Sequence, residues 1–352
     1  MPTIAAKRFA ALDAIVQDAL AVRLSGAVVR IEHEGVLLYE QAYGTTRADA
    51  AGRTLGPDTA FDLASLTKLF VATAALAQVS SERYALDRPL TRLFPEWNGT
   101  DHEPVTARGL LAHTAGFAAG ADYRTLLDKN VEAFAIRRPL AGTPGGPVLY
   151  SDLGFITLGA LVARAAQSGL ARALAETLAP LRLEATRFRP ARSERPAIPA
   201  TEEDGWRGRC QGIVHDEKAY LMGGVAGHAG LFGTARDVAR LTEFYLGNRR
   251  RRQPVAIDPA LLAEALEEQA PDAILRRGLG WALKTSDDNS CGPAMSAHTF
   301  GHTGFTGTCV WADPDCDLSI VFLSNAVYFG RNGIRDLRAA VCTAAIHALR
   351  LQ

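Results

Sequence analysis

The sequence predicts an α/β fold: one antiparallel sheet flanked by helices from the two ends of the chain, with a mostly helical region inserted between its strands. Three observations carry that expectation. GAVVRIEHEGVLLYEQAYG (26–44) is two β-rich runs about a His-Glu-Gly turn, the pattern of a hairpin. From Ser65 to about residue 210, helical periods such as FVATAALAQV and LGFITLGALVARAAQSG alternate with Pro- and Gly-rich loops. Strand-like runs then return near the C-terminus. Residues 1–64 and 213–352 therefore read as a discontinuous sheet domain and 65–212 as a mostly helical one, with a cleft between them.

The elements follow in order. MPTIAAKRFAALDAIVQDAL alternates charged and apolar positions as an amphipathic helix does, and it leads into the 26–44 hairpin. After the helical insertion come GLGWALKT, SAHTFGH and GFTGTCVWADPDCDLSIVFLSNAV, read as consecutive strands, the last pair joined across Asp313-Pro314-Asp315. RNGIRDLRAAVCTAAIHALRL closes the chain as a helix that can pack on the same sheet as the first.

Composition narrows the function. Lys and Arg number 38, as do Asp and Glu, so no net field favours nucleic acid or an anionic membrane. The first twenty residues lack the apolar core and cleavage site of a signal peptide, and no window approaches about eighteen uninterrupted apolar residues. The expected location is cytoplasmic, with a small molecule as partner rather than nucleic acid or membrane. Five scattered cysteines without CxxC spacing suit reduced thiols.

The chemistry concentrates in three short motifs. FDLASLTKLFVATAAL (61–76) is almost wholly apolar yet holds Lys68 with no acidic residue three or four positions away; Ser65 shares its helix face. Burial disfavours the ammonium, which predicts a lowered Lys68 pKa and a lysine able to take the serine proton. Ser65 near a helix N-terminus finds free backbone N–H groups for an oxyanion. The plainer account is a capping serine beside a snorkelling lysine. Only five of the 38 basic residues are lysines, so a lysine at 68 looks chosen for what arginine cannot do.

Tyr150-Ser151-Asp152 lies at a loop-to-helix junction, where a phenol beside a cationic lysine can serve as general base; alternatively Ser151 or Asp152 caps the helix and Tyr150 packs under the loop. His302-Thr303-Gly304 lies between strands. Its glycine permits close substrate approach, and the Phe305 N–H is placed as a second oxyanion donor.

Taken together, S-x-x-K, Y-S-D and H-T-G in this order resemble the serine β-lactamase and penicillin-binding protein superfamily, particularly the branch of class C β-lactamases, DD-peptidases and family VIII esterases. LDRPLTRLFPE (86–96), LLAHTAGF (110–117) and VHDEKAYLMGGVAGHAGLFGTARDVARL (214–241) extend the likeness over nearly the whole chain, the last being most similar to a subgroup near penicillin-binding protein 4B. The resemblance implies an acylated Ser65, Lys68 and Tyr150 as proton-transfer pair, the Ser65 and Phe305 amides as oxyanion hole, and Asp152, His302, Thr303 and Gly304 as substrate contacts, with no metal and no cofactor. Two residues depart from the pattern. Asp152 replaces an asparagine that commonly meets the substrate amide, and a carboxylate cannot donate. His302 replaces a common lysine, so a carboxylate anchor there would titrate near neutral pH.

Other readings are a metallohydrolase built on His215-Asp216-Glu217 with His298 and His302, and a non-catalytic binder on the same fold. Strand spacing separates His298 from His302 by roughly 13 Å. An α/β-hydrolase lacks its G-x-S-x-G. The expected activity is hydrolysis of small esters or amides through an acyl-Ser65, with D-alanyl peptides second and β-lactams third.

Overall fold

The computed structural model describes residues 8–247, 255–271 and 276–350; residues 1–7 of the expected opening helix and Leu351 of the closing one lie outside this range. The chain opens with helix α1 (Ala10–Ala19) and the hairpin β1 (Gly26–His33) and β2 (Val36–Gly44), turning at Glu34 and Gly35 as the sequence suggests. A short strand β3 (Phe61–Asp62) leads through one 3₁₀ turn into α2 (Thr67–Ser80). The helices α3 (Ala107–Leu111), α4 (Val131–Arg137), α5 (Asp152–Ala166) and α6 (Leu170–Leu178) follow. Next come β4 (Arg187–Phe188), the pair β5 (Ala200–Asp204) and β6 (Gly208–Gln211), α7 (Glu217–Leu221), β7 (Leu231–Gly233), α8 (Ala235–Leu246) and α9 (Pro259–Glu264). The chain closes with β8 (Arg276–Arg277), β9 (Ala282–Leu283), β10 (Phe300–Thr303), β11 (Cys309–Asp313), β12 (Leu318–Ser324) and α10 (Arg335–Arg350).

Among the described residues, seven strands form the main sheet in the order β2-β1-β12-β11-β10-β9-β8, antiparallel throughout. The N-terminal hairpin therefore joins the C-terminal strands through β1 and β12, with Val29 opposite Phe322. Alternation along the strands feeds two cores. Ala27, Val29, Ile31, Trp311, Ile320 and Phe322 pack against Leu12 and Val16 of α1 and Leu337 and Val341 of α10. On the other face Val28, Val310, Val321 and Leu323 join a larger core with Val238 and Leu241 of α8 and the helices of the middle region. The central strands are covered on both faces, which is why β1, β11 and β12 read as near-continuous apolar runs.

Two expected strands are shorter than their sequence suggests. GLGWALKT contributes only Ala282 and Leu283 to the sheet, because Gly278 to Gly280 turn to connect β8 with β9 and the Gly280 N–H donates to Leu111 O. SAHTFGH starts pairing only at Phe300, since Ser296 is tied by its N–H and hydroxyl to the Asp313 carboxylate. All five cysteines are free thiols. Among the described residues no single helix is long and apolar enough to cross a membrane.

Asn325, 1% exposed and just after β12, ties that strand to the start of β1 and to β5. Its Oδ1 accepts from the Ser25 and Gly26 N–H groups, each at 3.2 Å, while its Nδ2 donates to Ser25 Oγ at 2.8 Å and Ala200 O at 2.7 Å. Asn325→Ala leaves these buried groups unpaired and should cost about 3 kcal/mol. Urea unfolding measures it; a midpoint equal to wild type would mean that water replaces the amide.

Candidate active site

The turn before α2 is set by a buried carboxylate. Asp62 accepts from the Ala64 N–H at 2.9 Å and the His215 N–H at 2.7 Å, and its own backbone carbonyl accepts from the Thr306 hydroxyl at 2.8 Å. These contacts hold Ala64 at a φ of 46°, a left-handed conformation costing a non-glycine residue about 1–2 kcal/mol. The strained residue presents Ser65, half-buried, at the start of α2. Twelve of the fourteen residues of α2 are buried, so this helix is apolar all round and carries no polar face to mark its orientation.

The end of β10 is pressed against that turn. A Cβ on Gly304 would lie 2.0 Å from Thr308 Oγ1 and 2.7 Å from Leu63 O, so only glycine fits. The Thr308 hydroxyl donates to Leu63 O at 3.2 Å, and Arg338 of α10 donates to Gly304 O at 2.6 Å. Phe305 is thereby carried next to Ser65. Among the described residues neither the Ser65 nor the Phe305 N–H donates to a protein acceptor.

Lys68 is fully buried, and the structure corrects the expectation that its pKa falls. Its Nζ lies 2.9 Å from Asp152 Oδ1, 3.1 Å from Ser65 Oγ and 3.2 Å from His228 O. Burial opposes the ammonium, but the Asp152 carboxylate and the Tyr150 phenol outweigh it and the pKa is raised. The counterion missing from the local sequence arrives from 84 residues away. Asp152, expected as a substrate contact, is the partner of two lysines: besides Lys68, its Oδ2 lies 3.3 Å from Lys218 Nζ. Burial works against its charge, yet Lys68 and His228 hold the carboxyl below the usual range.

A closed ring results. Lys218 Nζ is 3.2 Å from Asp216 Oδ2, Asp216 Oδ1 is 2.7 Å from His228 Nε2, and the His228 carbonyl returns to Lys68. The return depends on Gly227, where a Cβ would lie 2.0 Å from Phe155 O; glycine lets the loop touch α5. Asp152, Asp216 and His228 offer three ligand atoms within 4.8 Å of one another, but the two ammonium groups already balance the two carboxylates. The residues of the metallohydrolase reading do not converge: His298 pairs with Asp315 on the surface, His215 with Glu202, and His302 is buried.

Tyr150 is positioned from both sides. Ser151 caps α5 by accepting from the Gly154 N–H, and its own N–H donates to Nδ1 of His113 at 3.1 Å. The Tyr150 ring packs on His113, centroids 4.5 Å apart, with Lys68 Nζ 4.9 Å and the Arg277 guanidinium 5.1 Å from its centre. Capping and packing thus hold together with proximity to Lys68. His302, 3% exposed, sits 6.1 Å from the same ring; its Nδ1 lies 2.8 Å from Thr303 O and its Nε2 has no hydrogen-bond partner among the described residues.

The expectation of a His302 that titrates near neutrality is corrected as well. Burial, then Arg277 and Lys68, push its pKa down to about 3, so the imidazole is neutral at physiological pH. Positive charge in the cleft comes instead from Arg277, Arg331 and Arg338. They line a cavity of about 340 Å³ with Ser65, Tyr150, His302, Thr303, Gly304 and Phe305. Sequence reading did not single out Arg277, His113, Lys218 or His228. The last two sit in VHDEKAYLMGGVAGHAGLFG, a segment flagged only by likeness, whose charged residues had no visible partners.

The comparisons agree with this geometry. The Beta-lactamase family model matches residues 12–345. Esterase EstB of Burkholderia gladioli is 33% identical, the match covering 94% of this chain and 93% of that protein. A putative D-alanyl-D-alanine carboxypeptidase of Escherichia coli is 30% identical over 84% of this chain and 73% of its own length. The fold is shared with a class C β-lactamase at TM-score 0.80 and 19% identity, covering 97% and 96% of the two chains. EstCE1, described as a hydrolase with promiscuous acyltransferase activity, superposes at TM-score 0.76 and 22% identity over 97% and 100%. The chain belongs to the Beta-lactamase family and is a serine hydrolase of that family.

Two pH effects follow from the buried imidazoles. KM for a carboxylate-bearing substrate should be flat between about pH 6 and 8.5, because His302 is already neutral and arginine stays charged. A slope there that His302→Gln abolishes would restore the titrating anchor. Stability has the opposite window. The unfolded chain protonates His113 and His302 below about pH 6.5, whereas the fold resists until far lower. Their contribution is intact above that pH and lost as pH falls through it. His302→Gln should therefore reduce the acid-side fall in Tm between about pH 6.5 and 4.

Proposed function

We propose that this chain hydrolyses small acyl esters through an acyl-Ser65 intermediate. The observation that carries the reading is the contact of Ser65 Oγ with Lys68 Nζ at 3.1 Å, the Tyr150 ring against the same ammonium, opening onto a cavity of about 340 Å³. In the first half-reaction Ser65 Oγ bonds to the carbonyl carbon, and the carbonyl electron pair moves onto oxygen, where the Ser65 and Phe305 N–H groups receive it. The serine proton passes to the Lys68–Tyr150 pair and from there to the leaving alkoxide as the ester C–O bond breaks. Water repeats the sequence on the acyl-enzyme and releases the acid.

Because Lys68 rests as an ammonium, its role is to donate to Ser65 Oγ and to steady negative charge on the phenol oxygen. The pair becomes active when it has lost one proton between its two members, so kcat/KM rises with pH along a limb that belongs to the pair. Esters rank ahead of amides because both Asp152 oxygens are taken by lysines and neither can donate to an amide carbonyl. The likeness to esterase EstB supports the same order. A second reading, a D-alanyl carboxypeptidase, draws on the three arginines lining the cavity, which suit a substrate carboxylate.

Ser65→Ala should abolish labelling by a fluorophosphonate, seen by intact mass, and remove turnover of p-nitrophenyl esters. Turnover within tenfold of wild type would assign the attack to another group. Tyr150→Phe should lower kcat by about 10² to 10⁴; a change confined to KM would place Tyr150 in substrate packing. Comparing p-nitrophenyl esters with D-Ala-D-Ala peptides and nitrocefin ranks the substrates, and a peptide preference in kcat/KM would replace the ester reading with the peptidase.

A further inference from the structure

Asp152 divides its two oxygens between two lysines of unequal standing. Lys68 touches Ser65 Oγ, whereas Lys218, on α7 and 11% exposed, reaches Asp152 and Asp216 among the described residues. We propose that Lys218 is a positioning residue for hydrolysis: it shares Asp152 with Lys68 and so limits how tightly that carboxylate holds the proton of the Lys68–Tyr150 pair. The inference rests on the reading of Ser65, Lys68 and Tyr150 given above.

Electrostatics fixes the sign. The ring contains two ammonium groups, two carboxylates and one imidazole. Removing Lys218 leaves Asp152 and Asp216 facing Lys68 as the single ammonium of the ring, so Asp152 spends its whole field on it. The other groups around Lys68 are His113 after α3, Arg277 on β8 and His302 on β10, with Tyr150 and the His228 carbonyl. Arg277 is the one charged member of that set, and it is unaltered by the change. Around Lys218, Glu217, Asp204, Arg124 and Arg331 line the adjoining cavity, and Arg331 is engaged with Glu202 and Glu217. Neither arginine reaches Asp152 to stand in for the lysine. The cap of α7 does not need Lys218, because Asp216 already accepts from the Ala219 N–H at 2.8 Å and meets His228.

The test is kcat/KM against pH for p-nitrophenyl butyrate on wild type, Lys218→Met, Lys218→Arg and Asp216→Asn, with Tm recorded for each. Lys218→Met should move the acid limb up by about one unit, giving kcat/KM about tenfold below wild type on the limb and converging above it. Lys218→Arg keeps the charge and should return the limb to its wild-type position. Asp216→Asn frees Lys218 for Asp152 and removes a negative charge near Lys68, so its limb should move down. A loss equal at every pH, an unmoved limb, or an arginine variant that behaves like the methionine one would overturn the proposal. If Lys218→Met does not fold, the Asp216→Asn limb decides: downward supports the proposal, unchanged or upward overturns it. Ser65→Ala measured beside them separates the two claims. Residual turnover there defeats the acyl-serine reading, whereas a dead Ser65→Ala with an unmoved Lys218→Met limb defeats this inference alone.

Discussion

A single buried charge organises the cleft. An ammonium sealed inside an apolar helix is tolerable only with a counterion and full hydrogen bonding, and Lys68 obtains both by drawing two remote segments onto itself beside its neighbour Ser65. Asp152 at the start of α5 supplies the charge, the His228 carbonyl a second acceptor and Ser65 the third. Each of these needs its own support. Ser151 caps α5 so that Asp152 faces inward, Gly227 lets the 226–228 loop reach α5, and Asp62 holds the strained turn that delivers Ser65. The same Asp62 segment is pinned by Thr306 and Thr308, which ties the sheet to the helical region at the point where the chemistry would occur.

That dependence explains what the sequence did and did not disclose. The hairpin at 26–44, the central helix after Ser65 and the closing helix were legible because local periodicity and turn residues report directly on pairing and burial. Ser65, Lys68 and Tyr150 were legible as motifs. The protonation behaviour of Lys68 was not, because helical spacing can only find partners on the same helix, and Asp152 lies 84 residues on. His302 failed for a related reason: an isolated imidazole suggests a neutral-pH switch, but burial beside Arg277 and Lys68 settles its charge, and none of those neighbours is near it in the chain. The short β8 and β9 were obscured by glycines that serve a turn in one place and a strand in another.

The cleft separates two electrostatic tasks that a single lysine on β10 would otherwise combine. Around Ser65, positive charge is balanced: Lys68 and Lys218 are met by Asp152 and Asp216. Around the rest of the cavity it is supplied by Arg277, Arg331 and Arg338, while His302 contributes a neutral wall. On the proposed mechanism, proton transfer and ligand attraction fall to different groups, and the guanidinium groups keep their charge throughout the working pH range.

The scarcity of lysine acquires a physical meaning on this view. Of the five lysines, Lys68 and Lys284 are buried and Lys218 nearly so. Each directs its compact ammonium at acceptors that diverge in space: Ser65, Asp152 and His228 for Lys68; Asp152 and Asp216 for Lys218; the Met295 and Pro293 carbonyls for Lys284. A planar guanidinium donates in a fixed fork suited to one carboxylate, as Arg23 does to both oxygens of Asp336, whereas an ammonium is a compact point charge with three rotatable donors. At the cleft the lysines sit where acceptors from separate parts of the chain meet, Ser65, Asp152 and His228 at Lys68, and Asp152 and Asp216 at Lys218. The scarcity of lysine thus supported the S-x-x-K motif at Lys68, and two of the five lysines, Lys68 and Lys218, meet at Asp152.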